Sequence, residues 1–182
     1  MRVGKLEATG SFFLILALLN YLDRQHMLPM AVAAWTLHEL GHYLAIRLAG
    51  GGIKLIRLTG VGAEMVLGRP LSYWQEGLAA LAGPGVNLLL ALGFCSWEGG
   101  VSFAGLNLAL PLFNLLPVGR LDGGRAVSCT LALLMGPDRA CWVTAWLDRV
   151  CTRLLLAGGL LLAGAGRNVT LLLTALCVGV TC

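Results

Sequence analysis

The sequence predicts an all-α polytopic membrane protein: about six transmembrane helices, a broken fourth helix and a short membrane-associated β-hairpin. Three observations lead there. Hydrophobic residues make up 58% of the 182-residue chain and charged residues only 12%, a balance that does not describe a soluble domain. The mean hydropathy is +0.82, and the apolar runs recur along the whole chain instead of forming one leader before a polar region. Most Lys and Arg residues sit in the short polar clusters between those runs, as membrane orientation requires. The formal net charge of +4 forms no basic stripe, so no nucleic-acid partner is expected. The surrounding solvent is expected to be a lipid bilayer.

The first run, Thr9 to Leu22, is short and lacks a small-residue cleavage site, and reads as a membrane helix that stays. Runs from Leu28 to Leu48 and Tyr73 to Trp97 are long enough to span. Between them, Gly50 to Gly68 alternates apolar and polar positions around Ile53, Leu55, Ile56, Leu58, Val61, Met65 and Val66, which reads as a short re-entrant or membrane-associated hairpin whose edge could receive a strand. The fourth run, Val101 to Met135, carries Pro117, Gly119, Gly123 and Gly124, so it is expected to unwind near Pro117 to Leu121. Arg153 to Gly166 and Val169 to Cys182 close the chain as two short helices. The chain is expected to be one domain over 1–182, with its core at 28–136.

Orientation follows from the basic residues of the short loops. Arg2 and Lys5, then Arg47, Lys54, Arg57 and Arg69, then Arg139, Arg149 and Arg153 fall on one side of a six-span arrangement, against Arg24 and Arg167 on the other. Both termini are therefore expected in the cytoplasm. The six cysteines, at 95, 129, 141, 151, 177 and 182, include no CxxC pair and read as structural thiols in apolar surroundings.

Chemistry concentrates in His38-Glu39-Leu40-Gly41-His42, within the second run. Spacing of i and i+4 puts both imidazoles on one helical face with Glu39 beside them. Ionisable groups in the middle of a membrane helix are costly without a task. Two imidazoles suit Zn2+, which activates a water whose proton Glu39 could take. A third ligand is needed, and Asp122 is the acidic residue embedded in later apolar sequence; it could also cap the helix that follows. Glu64, Glu76, Asp138 and Asp148 remain as fallbacks, the last two in a cluster that looks solvated. Gly83, Gly85 and Gly93 are read as permitting close helix packing.

HELGH in an apolar helix, Ala82-Gly83-Pro84 with Asn87, Asn114-Leu-Leu-Pro117 and Leu121-Asp122-Gly123-Gly124, in that order, resemble the site-2 protease family. Within it they are most similar to the sporulation subgroup, stage IV sporulation protein FB. The resemblance implies zinc-dependent intramembrane proteolysis, with His38, His42 and Asp122 on the metal and Glu39 as general base. It also implies that Asn87 and Asn114 hold substrate or steady the oxyanion. The substrate would be a membrane-tethered or membrane-associated protein, such as a sigma-factor precursor or an anti-sigma factor, and the setting a bacterial cell or forespore membrane. An inhibitory membrane partner stays open. Arg120 and Leu121 stand where the subgroup usually has a second proline, and neither a CBS nor a PDZ domain is expected. The rival readings are a membrane zinc-binding or transport protein without proteolysis, and a catalytically dead scaffold.

Overall fold

The computed structural model describes residues 2–60 and 62–164. The chain divides into two compact units, Met1–Phe113 and Asn114–Cys182. Within the fourth run one helix ends at Asn114 and the next begins at Asp122, so the chain is unwound over the expected Pro117 to Leu121.

The first unit opens with two short strands, β1 (Arg2–Val3) and β2 (Leu6–Ala8), which turn at Gly4 with a positive φ of 59°. Helix α1 (Gly10–Leu22) and helix α2 (Leu28–Leu48) follow. Strands β3 (Ile53–Thr59) and β4 (Gly62–Leu67) then form the expected hairpin, and helices α3 (Tyr73–Phe94) and α4 (Val101–Asn114) come next. The sheet order is β1-β2-β3-β4. β2 lies parallel to β3, pairing Leu6 with Ile56 and Ala8 with Leu58, while β4 runs antiparallel to it. The N-terminal segment thus covers one edge of the hairpin, and β4 is a terminal strand of the sheet. Arg2, expected only as topogenic charge, lies in β1, and Lys5 lies between β1 and β2. Two-residue and three-residue strands are too short for a periodicity signal; β2 exists because β3 offers it a pairing edge, and β1 pairs in turn with β2.

The ends of α2 are fixed locally. Asp23 caps its start, accepting hydrogen bonds from the Met27 and Leu28 amides at 2.9 and 2.7 Å. At the other end Gly50 takes φ 79°, and the amides of Gly50 and Gly51 donate to the carbonyls of Arg47 and Ile46, a glycine-terminated helix end. A small core of Ile46, Ile53 and Ala79, with Tyr43, Met65 and Leu71 packed on it, ties α2, the sheet and α3 together. Gln75 adds a side-chain hydrogen bond to the Ala49 carbonyl at 3.2 Å.

The Asp23 cap carries a pH prediction. The Leu28 amide, foremost, holds the carboxyl below its ordinary value of 3.8. A depressed carboxylate stabilises the fold above the unfolded value and loses that contribution as pH falls through the folded one. Asp23→Asn is therefore expected to lower the thermal midpoint at neutral pH, and the gap to wild type is expected to close below about pH 3.8. A gap that persists unchanged at pH 3 in melts followed by circular dichroism would show that the charge is not what stabilises the turn.

The second unit is a helical hairpin of α5 (Asp122–Met135) and α6 (Pro137–Gly164), turning at Gly136 with φ 86°. Helix α6 starts sixteen residues before the predicted Arg153, because Pro137 is well placed at a first helical position and no breaker follows it. The predicted last helix, Val169 to Cys182, lies outside the described residues, as do Cys177 and Cys182. Of the other thiols, Cys129 is buried and Cys151 half-buried, whereas Cys95 and Cys141 are exposed.

The packing is inverted relative to a water-soluble protein. Buried positions are dominated by alanine, at 34, 79, 80, 91, 104, 126, 132 and 140. Large apolar side chains point outward, with Leu89 at 71%, Leu92 at 72% and Leu134 at 77% exposure. Small residues inside and leucine outside is what packing in lipid favours, where helices associate by close approach and not by burying leucine. Among the described residues, α3 is the one helix both long and apolar enough to cross a bilayer. Helix α2 matches it in length but carries His38, Glu39, His42 and Arg47.

Candidate metal centre

Helix α2 sets His38 and His42 one turn apart on its buried side, 3% and 7% exposed. Their rings meet edge to face, with centroids 4.7 Å apart and Nε2 atoms 3.0 Å apart. The other nitrogen of each ring faces an oxygen. His38 Nδ1 lies 2.5 Å from Asn87 Oδ1, and His42 Nδ1 lies 2.7 Å from the Ala79 carbonyl. A carbonyl only accepts. The Asn87 amide nitrogen donates to the Ala34 carbonyl at 3.1 Å and to Asn107 Oδ1 at 2.7 Å, which identifies its oxygen as the atom facing His38. Both Nδ1 atoms must therefore carry the proton, and in the neutral rings both Nε2 atoms carry a lone pair. With both rings neutral, the two Nε2 atoms, 3.0 Å apart, are the acceptors the pair would offer to a cation. The arrangement is that of imidazole ligands oriented by their outer hydrogen bonds.

Space at the imidazoles comes from glycine. A Cβ at Gly83 in α3 would collide with His42 Nε2, and would lie 2.6 Å from His42 Cε1 and 2.9 Å from His38 Nε2. Gly83 thus keeps the two Nε2 atoms clear, where only helix packing was expected of it. At Gly85 and Gly93 a Cβ would meet nothing within 4 Å, so neither mediates the close helix packing expected of them among the described residues. That packing falls to Gly41, where a Cβ would sit 2.8 Å from the Ala82 carbonyl and 3.1 Å from Gly83 Cα. Gly41 of HELGH lets α2 approach α3 closely enough for Asn87 and Ala79 to reach the rings.

In the second unit, Asp122 is the first residue of α5 and 8% exposed, with Leu121 at the cap position. Its carboxylate belongs to the first turn of the helix. The helix can begin there because Gly123 and Gly124 press its first turn onto the preceding loop. A Cβ at Gly123 would meet the Leu115 and Leu116 carbonyls, and one at Gly124 would meet the Val118 carbonyl. The loop is held from α6 by half-buried Asp148, which accepts the Gly119 amide at 2.8 Å.

Among the described residues, His38, His42 and Asp122 are the group of three donors that could hold a metal ion. Two imidazoles and a carboxylate fit zinc, with room in its coordination for water. Of the fallbacks, Glu64 lies on β4 beside Arg57, 3.4 Å away, and Arg57 also reaches Glu7 at 3.3 Å. Glu76 and Asp138 fall in the first turns of α3 and α6. Glu39 is half-buried on α2, and Asn114 is the half-buried last residue of α4. The residue sequence reasoning missed is Asn107, fully buried in α4 and bonded to Asn87. Its signal was an amide in an otherwise apolar helix, where an unpaired polar group is costly.

No family model matches the chain. A Synechocystis sp. protein named "Putative zinc metalloprotease" is 34% identical over 111 residues, 54% of this chain and 29% of that protein. "Putative zinc metalloprotease Rip3" of Mycobacterium tuberculosis is 32% identical over 149 residues, 72% of this chain and 37% of that protein. The matched region thus spans about a third of the length of these curated relatives. Among solved structures, the site-2 protease from Methanocaldococcus jannaschii superposes with a TM-score of 0.74 at 23% identity, covering 98% of this chain and 89% of that one. The fold is that of the archaeal structure.

Proposed function

We propose that this chain is a zinc-dependent intramembrane metalloprotease of the site-2 protease family. The observation that carries the reading is the pair of buried imidazoles whose outer hydrogen bonds leave two Nε2 lone pairs 3.0 Å apart, one residue from a carboxylate. Relatives named as zinc metalloproteases and the likeness of fold support it. His38, His42 and Asp122 hold the metal. When bound, zinc supplies Lewis acidity that activates water and polarises a scissile carbonyl. Glu39 takes a proton from the attacking water and returns it to the leaving amine. Asn114 steadies the charge that develops on the carbonyl oxygen.

The outward-facing leucines and the α3 span support placement in a bilayer. In this reading about six helices cross it, with both termini in the cytoplasm. Substrates are membrane-tethered or membrane-associated proteins, and a sigma-factor precursor or an anti-sigma factor of the sporulation subgroup's kind is the class to try first. Transport is not favoured, since among the described residues no second donor cluster marks a path across the membrane. The test is metal removal. Purified chain in nanodiscs is expected to contain one zinc, to lose cleavage of a panel of membrane-tethered substrates on chelation, and to regain it when zinc returns. Zinc binding with no cleavage across the panel would count against the protease.

An unwound substrate has a place to pair, because β4 ends the sheet and an extended peptide can add to a terminal strand. Amides alternate along a strand between the ladder and the open edge. Of Glu64→Pro and Met65→Pro, one removes an outward donor, and that variant is expected to reduce cleavage severalfold with zinc content unchanged. Full cleavage in both would exclude strand addition at β4.

A further inference from the structure

The Asn87 amide could face His38 in two ways, and the choice decides whether the imidazole can bind a metal. With Oδ1 on Nδ1, as observed, the ring proton sits on Nδ1 and Nε2 is a ligand. With the amide turned over, its NH2 would donate to Nδ1, and the proton would move to Nε2. That would block the ligand atom.

The surroundings select the first orientation. Asn87 Nδ2 donates to Asn107 Oδ1 at 2.7 Å and to the Ala34 carbonyl at 3.1 Å. Asn107 is in turn oriented by its own Nδ2, which donates to the Phe103 carbonyl at 2.9 Å. Both carbonyls belong to the main chain and can only accept, so they fix the direction of the whole relay. Asn87 and Asn107 are both 0% exposed, and water cannot substitute for a missing partner there without a cost.

We propose that Asn107 is a positioning residue for the metal centre: by accepting an Asn87 amide proton it keeps Asn87 Oδ1 on His38 Nδ1–H and His38 Nε2 open as a ligand. Asn87 then acts through His38 and not on the substrate. The proposal rests on the zinc reading, but the tautomer it fixes is measurable without metal.

The test uses the full chain with 15N-labelled histidine in nanodiscs, as wild type, Asn107→Leu and Asn107→Asp. Leucine keeps the branching at Cγ, at a larger volume, and removes the acceptor. A buried, protonated aspartic acid can still accept from Asn87 and donate to the Phe103 carbonyl. In metal-free protein, His38 is expected as the Nδ1–H tautomer in wild type and Asn107→Asp, and as a mixture with the Nε2–H form in Asn107→Leu. Zinc affinity, measured by chelator competition, is expected to fall about tenfold or more in Asn107→Leu and to be largely restored in Asn107→Asp, in line with the usual effect of outer partners. A folded Asn107→Leu with wild-type tautomer and affinity overturns the proposal. Where Asn107→Leu does not fold, Asn107→Asp decides: a folded protein that has lost the Nδ1–H form overturns it, and one that keeps tautomer and affinity supports it. Wild type that binds no zinc would sink the metal reading, while the tautomers still report on Asn107.

Discussion

Glu39→Gln is expected to lower hydrolysis by about 10²–10⁴-fold while leaving zinc content unchanged. Glutamine keeps the size and hydrogen-bonding reach of the side chain but cannot take a proton. The Nδ1 hydrogen bonds of the two imidazoles go to Asn87 and Ala79, and these remain in the variant to orient the rings. Glu39 stands three residues before His42, a neighbour on the helix surface, and it is half-buried, which leaves it reachable. The measurement pairs metal analysis with turnover of a membrane-tethered substrate. Retained turnover would remove Glu39 from the reaction, and loss of zinc along with turnover would make it a structural group.

Gly83→Ala is expected to abolish tight zinc binding without unfolding the chain. A methyl there collides with His42 Nε2 and stands 2.9 Å from His38 Nε2, the two atoms proposed to bind the metal. Neither ring can swing away without giving up its Nδ1 hydrogen bond. In the helix itself the change is favourable, since alanine exceeds glycine by about 0.5–1 kcal/mol in a helix interior. Steric and backbone effects therefore have opposite signs, and Gly85→Ala separates them. Position 85 has open space around a Cβ, so that variant should gain the helix benefit and keep its zinc. Chelator competition and thermal melts on the pair read both quantities. Equal zinc affinity in Gly83→Ala and Gly85→Ala would refute the placement of Gly83 against the ligands.

Much of this centre is written in local sequence. The i, i+4 spacing of His38 and His42 needs only the helical repeat to put both rings on one face. Helix α2 runs over the residues its apolar run marks, Leu28–Leu48, and Pro117 with the glycines after it predicted the break before Asp122. Such features depend on neighbours within a turn or two, so a single chain read in order displays them. Contacts between distant positions are another matter. That Asn107 holds Asn87, that the Ala79 carbonyl fixes His42, that Gly83 clears the ligand atoms and that β2 pairs with β3 all join residues about 20 to 50 positions apart. No periodicity records a partner at that distance. The sequence by itself determined which residue types carry the chemistry and on which helix they lie. Only the tertiary structure decided how their protons are placed, because a tautomer follows from whichever donor or acceptor the fold sets against the ring.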